Sequence, residues 1–189
     1  MPRIAINGLG RIGKLVLRDI IDTGVDGDIV LLNDPVGDVE QHALLMEFDS
    51  VHSRWSTPVA ASNGALELNG QRIRLMHEKT IEALPLAELG VDLVIDCTGV
   101  FKTGAKIAPY YASGVKKVVV SAPVKDGSAL NLVYGVNNDL YDGSQRLITA
   151  ASCTTNCLAP IVKVIHENLL IRHGSITTIH DVTNSQTIV

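Results

Sequence analysis

Residues 3–21, RIAINGLGRIGKLVLRDII, run from a short β-branched stretch through three glycines into a helical repeat of apolar residues. Gly8, Gly10 and Gly13 form a GxGxxG pattern that closes the strand and opens the helix. The first glycine permits a tight turn, the second lets backbone approach a pyrophosphate, and the third lets helix and strand pack closely. A helix N-terminus then turns unpaired N–H groups and a partial positive charge toward the phosphates. Three glycines alone are a weak signal, and Asp34 strengthens them. It follows the next strand-like run, DIVLLN at 28–33, about 20 residues past the last glycine, where a carboxylate accepts hydrogen bonds from the adenosine ribose and repels a 2′-phosphate. The pattern predicts a βαβ unit that takes NAD rather than NADP.

Further apolar runs, DLVIDC at 92–97 and KKVVVSA at 116–122, are apolar on both faces, as strands of a helix-covered parallel sheet are. LNLVYGVN and QRLITAAS supply two more strands. Ile12, Leu15, Val16, Ile20 and Ile21 define the expected buried face of the first helix, with Gly24 as its stop. TPVAASNGALELNGQRIRLM, 57–76, carries two Asn-Gly pairs between strand-like pieces and reads as an antiparallel insertion. TGAKIAPYYASG, 103–114, reads as a helix shortened or kinked by Pro109. The fold class expected is α/β, a doubly wound, mostly parallel Rossmann-type sheet with a β-hairpin insertion, residues 1–150. The turn in DCTGVF, 96–101, lies at the edge where such sheets bind ligands, so Thr98 and Gly99 are candidates to line the cofactor.

Across 189 residues, 46% are apolar and 19% charged, with a net charge of -4 and no basic cluster, which argues against a nucleic-acid partner. No stretch has the length and apolar character of a membrane span or a secretory signal, so no membrane partner is expected. Cys97, Cys153 and Cys157 fit neither a disulfide framework nor a zinc site. A reducing cytoplasm and no metal are the expectation.

ASCTTNCLAP, 151–160, places Cys153 at the first turn of a helix that runs to about residue 168, with Ser152 as N-cap and Pro160 as a bend. There the helix dipole favours the nucleophilic thiolate. Cys157, one turn further in, reads as packing beside Leu158 and Ile161 on a face completed by Val162 and Ile165. A thiol redox pair of Cys153 and Cys157 is the alternative, although CxxxC is not the CxxC spacing of such centres. His180 ends a strand-like run 27 residues later and is the candidate base for the thiol. The other five histidines, His42, His52, His77, His166 and His173, have no comparable partner.

A dinucleotide fold followed by a helix-start cysteine and a strand-end histidine resembles the phosphorylating glyceraldehyde-3-phosphate dehydrogenases. The motifs that carry the resemblance are INGLGRIG, NDP at 33–35, FDSVH at 48–52, CTGVF at 97–101, VVVSAP at 118–123 and, most specifically, ASCTTNCLAP. The resemblance implies that Cys153 attacks the aldehyde and that His180 activates the thiol and assists hydride transfer to NAD. The thioester so formed is then cleaved by inorganic phosphate. It implies that Ser152, Thr154 and Thr183 contact phosphate, and that Asn7, Gly8, Gly10, Arg11, Ile12, Asp34, Lys79 and Ser121 contact the cofactor, Lys79 standing where an arginine is usual. Asp181 and Val182, after the histidine, and VHSRW at 51–55 depart from the common glycolytic form. Those departures leave open an arsenate-using variant or an erythrose-4-phosphate dehydrogenase. Residues 151–189 are expected to be the truncated start of an α+β catalytic domain, with a homotetramer for the full-length chain. If the product ends at Val189, the other reading is a non-catalytic dinucleotide-binding module.

Overall fold

The computed structural model describes residues 1–180. It begins with β1 (Arg3–Asn7), α1 (Arg11–Thr23) and β2 (Asp28–Asn33), and β1 pairs in parallel with β2. Next come α2 (Val39–Glu47), the short β3 (Phe48–Asp49) and β4 (Ser53–Arg54), then β5 (Val59–Ser62), β6 (Ala65–Leu68) and β7 (Gln71–Met76). The chain continues through β8 (Leu93–Asp96), α3 (Gly104–Ala112), β9 (Lys117–Val120), β10 (Leu130–Asn131), β11 (Leu147–Thr149) and α4 (Cys153–Leu169). Among the described residues, nine strands form one sheet in the order β10-β11-β9-β8-β1-β2-β7-β6-β5.

Two buried clusters cover the two faces of this sheet. Ala5 and Leu31 join Val94, Val118, Ile107 and Tyr110 in one, while Ile4, Ile6, Ile29 and Leu32 join Leu17, Val39 and Met46 in the other. Alternate residues of β1 thus feed opposite layers, and so the run is apolar throughout. The helix-covered, mostly parallel sheet is the doubly wound architecture that the apolar runs implied.

The antiparallel segment 57–76 forms as expected and also lengthens the main sheet. Asn63-Gly64 and Asn69-Gly70 all have positive φ, the conformation of tight two-residue hairpin turns. Because β7 pairs in parallel with β2 (Leu32↔Leu75, Asn33↔Met76), the meander joins the sheet edge directly.

Four local expectations need correction. α1 buries Gly13, Lys14, Leu17 and Arg18, whereas Ile12 is 53% exposed. The phase of the helix is set by Gly13, where a Cβ would collide with the Gly8 carbonyl oxygen and meet Cys97 Cβ at 3.4 Å. The LNLVYGVN run is a strand only at Leu130–Asn131. Beyond it, Asn137 Oδ1 accepts from Val133 N (2.7 Å) and Asn138 Oδ1 from Gly135 N (2.9 Å), local bonds that compete with a ladder. α4 contains Pro160, none of its residues is buried, and Cys157 is exposed rather than packed. Its apolar face exists, with Ile161 55% exposed, but no described element covers it. Residues 175–180 pair with no strand among the described residues.

Candidate active site

The glycine turn between β1 and α1 is held by backbone contacts. Gly8 has φ +94°, and its N–H donates to Asn33 O (2.7 Å). A Cβ at Gly8 would lie 2.6 Å from Cys97 C and Thr98 N, so only glycine fits where β1 and the β8 end approach. Gly10 caps α1 with no side-chain bond, and nothing lies within 4 Å of a Cβ placed there. The start of α1 is thus left uncapped by any side chain, and its first N–H groups are the kind of donor a pyrophosphate takes.

Asp34 stands beside that turn. Its Oδ2 accepts from Leu9 N (2.7 Å) and its Oδ1 from Val36 N (3.0 Å), which fixes the carboxylate while leaving further lone pairs for ribose hydroxyls. Thr98 and Gly99 follow β8, and Ser121 follows β9 with its N–H on Asp96 O (2.9 Å). The strand ends thus gather these three candidates at the same sheet edge as Gly8 and Asp34. Lys79 is exposed in the loop after β7, next to Glu78, whose N–H and carbonyl both bond the Asn33 side chain. Arg11 is spent on a bidentate ion pair with Asp49, both bonds 3.0 Å, and Ile12 lies exposed beside it.

Asn7 is placed differently from an open cofactor contact. It is 4% exposed, with its amide donating to Tyr110 Oη (2.6 Å) and its Oδ1 accepting from Asn33 Nδ2 (2.8 Å). Tyr110 in turn donates to Asp96 Oδ2 (2.7 Å), and Asp96 Oδ1 accepts from Thr98 N and Oγ1. This buried chain ties α3 and three strand ends to the Thr98 turn. Burial raises the Asp96 carboxyl, against which the Thr98 and Tyr110 bonds pull it back. Sequence reading passed over Tyr110 and Asp96, although an acid closing a fully apolar strand was a visible signal.

Cys153 begins α4, whose N-cap Ser152 accepts from Thr155 N (3.1 Å). Its Sγ lies 3.1 Å from His180 Nε2, a contact across 27 residues. The thiol is exposed, and its pKa is held below the ordinary value first by the His180 bond and then by the Thr154 backbone N–H. Cys97 shows the opposite environment, its thiol pushed up to about 11 by burial despite a bond from Ser121. Ser152 Oγ lies 3.0 Å from Thr154 Oγ1, so two phosphate candidates adjoin the thiol. Thr183, with Asp181 and Val182, lies outside the described residues. Cys153, Thr154 and His180 line an open groove of about 750 Å³.

The turn that delivers Cys153 has a feature that sequence reading missed. Ala151 sits at φ +58°, a conformation L residues rarely take, and Asn156 Nδ2 donates to both Ala150 O (2.7 Å) and Ser152 O (2.9 Å) around it.

The class that this fold and site define is a dinucleotide-type α/β protein with a paired thiol and imidazole just past its last strand. Residues 2–104 match the glyceraldehyde 3-phosphate dehydrogenase NAD-binding domain, and residues 152–189 match that family's C-terminal domain. The chain belongs to the glyceraldehyde 3-phosphate dehydrogenase family, and its cofactor is NAD. It is similar to glyceraldehyde-3-phosphate dehydrogenase 3 of a Nostoc species, 48% identical over 188 residues, 99% of this chain and 55% of the relative. A cytosolic glyceraldehyde-3-phosphate dehydrogenase of Gracilaria gracilis is 44% identical over 189 residues, 100% of this chain and 56% of the relative. Glyceraldehyde-3-phosphate dehydrogenase 1 of Drosophila melanogaster gives the same figures, 44% over 189 residues with 56% of its length covered. The chain spans about half the length of the curated relatives it matches. Among the described residues, no helix is long and apolar enough to cross a membrane.

Proposed function

We propose that this chain carries the cofactor domain and the nucleophile of an enzyme that oxidises and phosphorylates glyceraldehyde 3-phosphate. The observation that carries the reading is the 3.1 Å contact of Cys153 Sγ with His180 Nε2 at a helix start, next to an NAD-binding fold. Residues 1–150 form the cofactor unit and residues from 151 onward open the catalytic domain. Cys153 Sγ attacks the aldehyde carbon, and the carbonyl oxygen takes a proton to give a thiohemiacetal. The Cys153 backbone N–H, at the orphan end of α4, helps hold the developing oxyanion. His180 then removes the hydroxyl proton as hydride leaves the same carbon, producing a thioester. Bound NAD supplies the acceptor for that hydride. Inorganic phosphate, held by Ser152, Thr154 and Thr183, adds to the thioester carbon and expels the Cys153 thiolate, releasing an acyl phosphate.

Asp34 engages the adenosine ribose, with Gly8, Gly10, Arg11, Ile12, Lys79, Thr98, Gly99 and Ser121 around the dinucleotide. Asn7 acts beneath it by holding Tyr110 and Asn33. The three free cysteines fit a reducing cytoplasm, and a homotetramer is the proposed assembly.

The test is NADH formation by the purified protein with glyceraldehyde 3-phosphate, NAD and phosphate. Arms that replace phosphate by arsenate, or the substrate by erythrose 4-phosphate, identify the preferred acceptor and aldehyde. NADH formation that survives Cys153→Ser overturns the mechanism. NAD binding without turnover in any arm supports a binding module instead.

A further inference from the structure

Polar groups at the ends of four neighbouring strands are joined end to end. In the sheet β7, β2, β1 and β8 lie side by side, and Asn33, Asn7 and Asp96 occupy matching positions at the ends of the last three. Two residues past β7, the Glu78 N–H donates to Asn33 Oδ1 (2.8 Å), while Asn33 Nδ2 donates to both Glu78 O (2.9 Å) and Asn7 Oδ1 (2.8 Å). Tyr110 of α3 bridges the next two strand ends, accepting from Asn7 and donating to Asp96. Asp96 Oδ1 then accepts from Thr98 N (3.0 Å) and Thr98 Oγ1 (2.7 Å), and Thr98 Oγ1 accepts from Val100 N (3.1 Å).

The middle of this run has one direction. Tyr110 Oη carries a single proton, and because the hydroxyl accepts from Asn7, that proton goes to Asp96. Asn33, Asn7, Tyr110 and Asp96 are all buried, at positions where apolar residues of like shape would pack with no polar group to satisfy. What the polar set adds is a fixed geometry between its two ends, since each member is satisfied only with its neighbours in place. Those ends are backbone: the Glu78–Lys79 loop after β7 and the Thr98 turn after β8. A dinucleotide crosses such a sheet edge with its adenosine toward β2, where Asp34 stands, and its pyrophosphate at the β1 glycines. Its other half therefore falls toward β8, and the run passes beneath the cofactor from one half to the other.

We infer that Tyr110 is a positioning residue for NAD, holding the Thr98 turn in a set place relative to the Glu78–Lys79 loop so that both halves of the dinucleotide meet their contacts together. Fully buried, it acts through Asp96 and Asn7 rather than by touching the cofactor. The inference rests on the reading of Lys79 and Thr98 as cofactor contacts, and it is independent of the thiol chemistry.

The test is calorimetric titration of the full chain with NAD and, separately, with AMP, at a temperature well below unfolding. Tyr110→Phe keeps the ring and loses the hydroxyl. It should weaken NAD about tenfold yet leave AMP within about twofold, because AMP reaches only the adenosine side, where the Asn33 bonds to Glu78 remain. A general loosening of the fold would weaken both ligands alike, and that result, or an unchanged NAD affinity, overturns the role. Asn33→Ala and Thr98→Val cut the two ends without touching Tyr110, and they decide the matter if Tyr110→Phe does not fold. Their combined loss of NAD affinity should fall severalfold short of the product of the single losses; a full product overturns the coupling. A parent chain that binds NAD no more tightly than AMP removes Thr98 from the cofactor contacts and the inference with it, whereas a parent that prefers NAD, with variants that behave like it, removes the inference alone.

Discussion

At the C-terminal edge of the sheet, Asn33, Asn7, Tyr110 and Asp96 pass hydrogen bonds from one to the next, and none is more than 4% exposed. At the start of α4, Cys153 meets His180 in the open, on a helix with no buried residue. The first region spends its polar groups on holding backbone in place beneath a cofactor. The second leaves its polar groups open to water. Substitutions should therefore separate the two, with stability lost in one region and chemistry lost in the other.

The largest effect belongs to the exposed pair. Cys153→Ser should lower turnover by at least ~10⁴-fold and His180→Asn by about 10²- to 10⁴-fold, with unfolding midpoints unchanged in both. The sign of the pH effect follows from the His180 bond. That bond holds the thiol pKa down, so thiolate forms at a lower pH than for a free cysteine; removing it moves the onset of iodoacetamide reactivity to higher pH. Cys157→Ser should leave the profile where it is. A His180→Asn profile that superimposes on the parent would show that another group lowers the thiol.

Gly13→Ala inverts the pattern. The added methyl meets the Gly8 carbonyl, backbone against backbone, so neither partner can swing aside. We expect a loss of about 3 kcal/mol in urea unfolding, with the alkylation rate of Cys153 in the folded protein unaltered. A loss below the error of the measurement would mean that α1 can slide on the sheet, and the two regions would not differ in rigidity as described.

Tyr110→Phe is smaller and depends on pH. It leaves Asp96 Oδ2 and the Asn7 amide short of a partner, at about 1–3 kcal/mol. Asp96 is raised above its ordinary 3.8, so the folded state holds that proton more tightly than the unfolded chain does. Its contribution is fully present below that pH and is lost as pH rises through the native value. Removing the Tyr110 bond raises the native value further. The deficit of the variant should therefore be greater at neutral pH than near pH 4, which paired urea titrations would measure. An equal deficit at both would mean that Asp96 does not titrate with folding.

How much of this was legible in sequence differs between the regions for physical reasons. Gly8, Gly13 and Asp34 could be read because a turn, a close contact and a strand-end acid each require one kind of residue at fixed spacing. Cys153 and its Ser152 cap were legible because capping chemistry is local. The burial of Lys14 and Arg18 was not, since helix phase was set by the Gly13 contact rather than by the apolar residues Ile12 and Val16. Nor was the Tyr110–Asp96 bond, whose partners meet only once α3 is laid across the sheet. Cys157 misled because its neighbours form an apolar face that no described element covers.

The smallest effect tests the seam between the regions. Ala151 joins β11 to α4 at φ +58°, and the Asn156 amide bridges the carbonyls on either side of it. Glycine takes this conformation freely, so Ala151→Gly should change stability by less than about 1 kcal/mol and in the favourable direction, without altering Cys153 alkylation. Asn156→Ala removes two exposed bonds, again worth about 1 kcal/mol, but it should also slow alkylation severalfold because the start of α4 loses its brace. Combining the two should slow alkylation more than the single effects multiplied together, since a flexible glycine then sits in an unbraced turn. Strict multiplicativity would show instead that β11 and the Ser152 cap alone place the thiol, and that the strain at Ala151 is borne by its neighbours without help from Asn156.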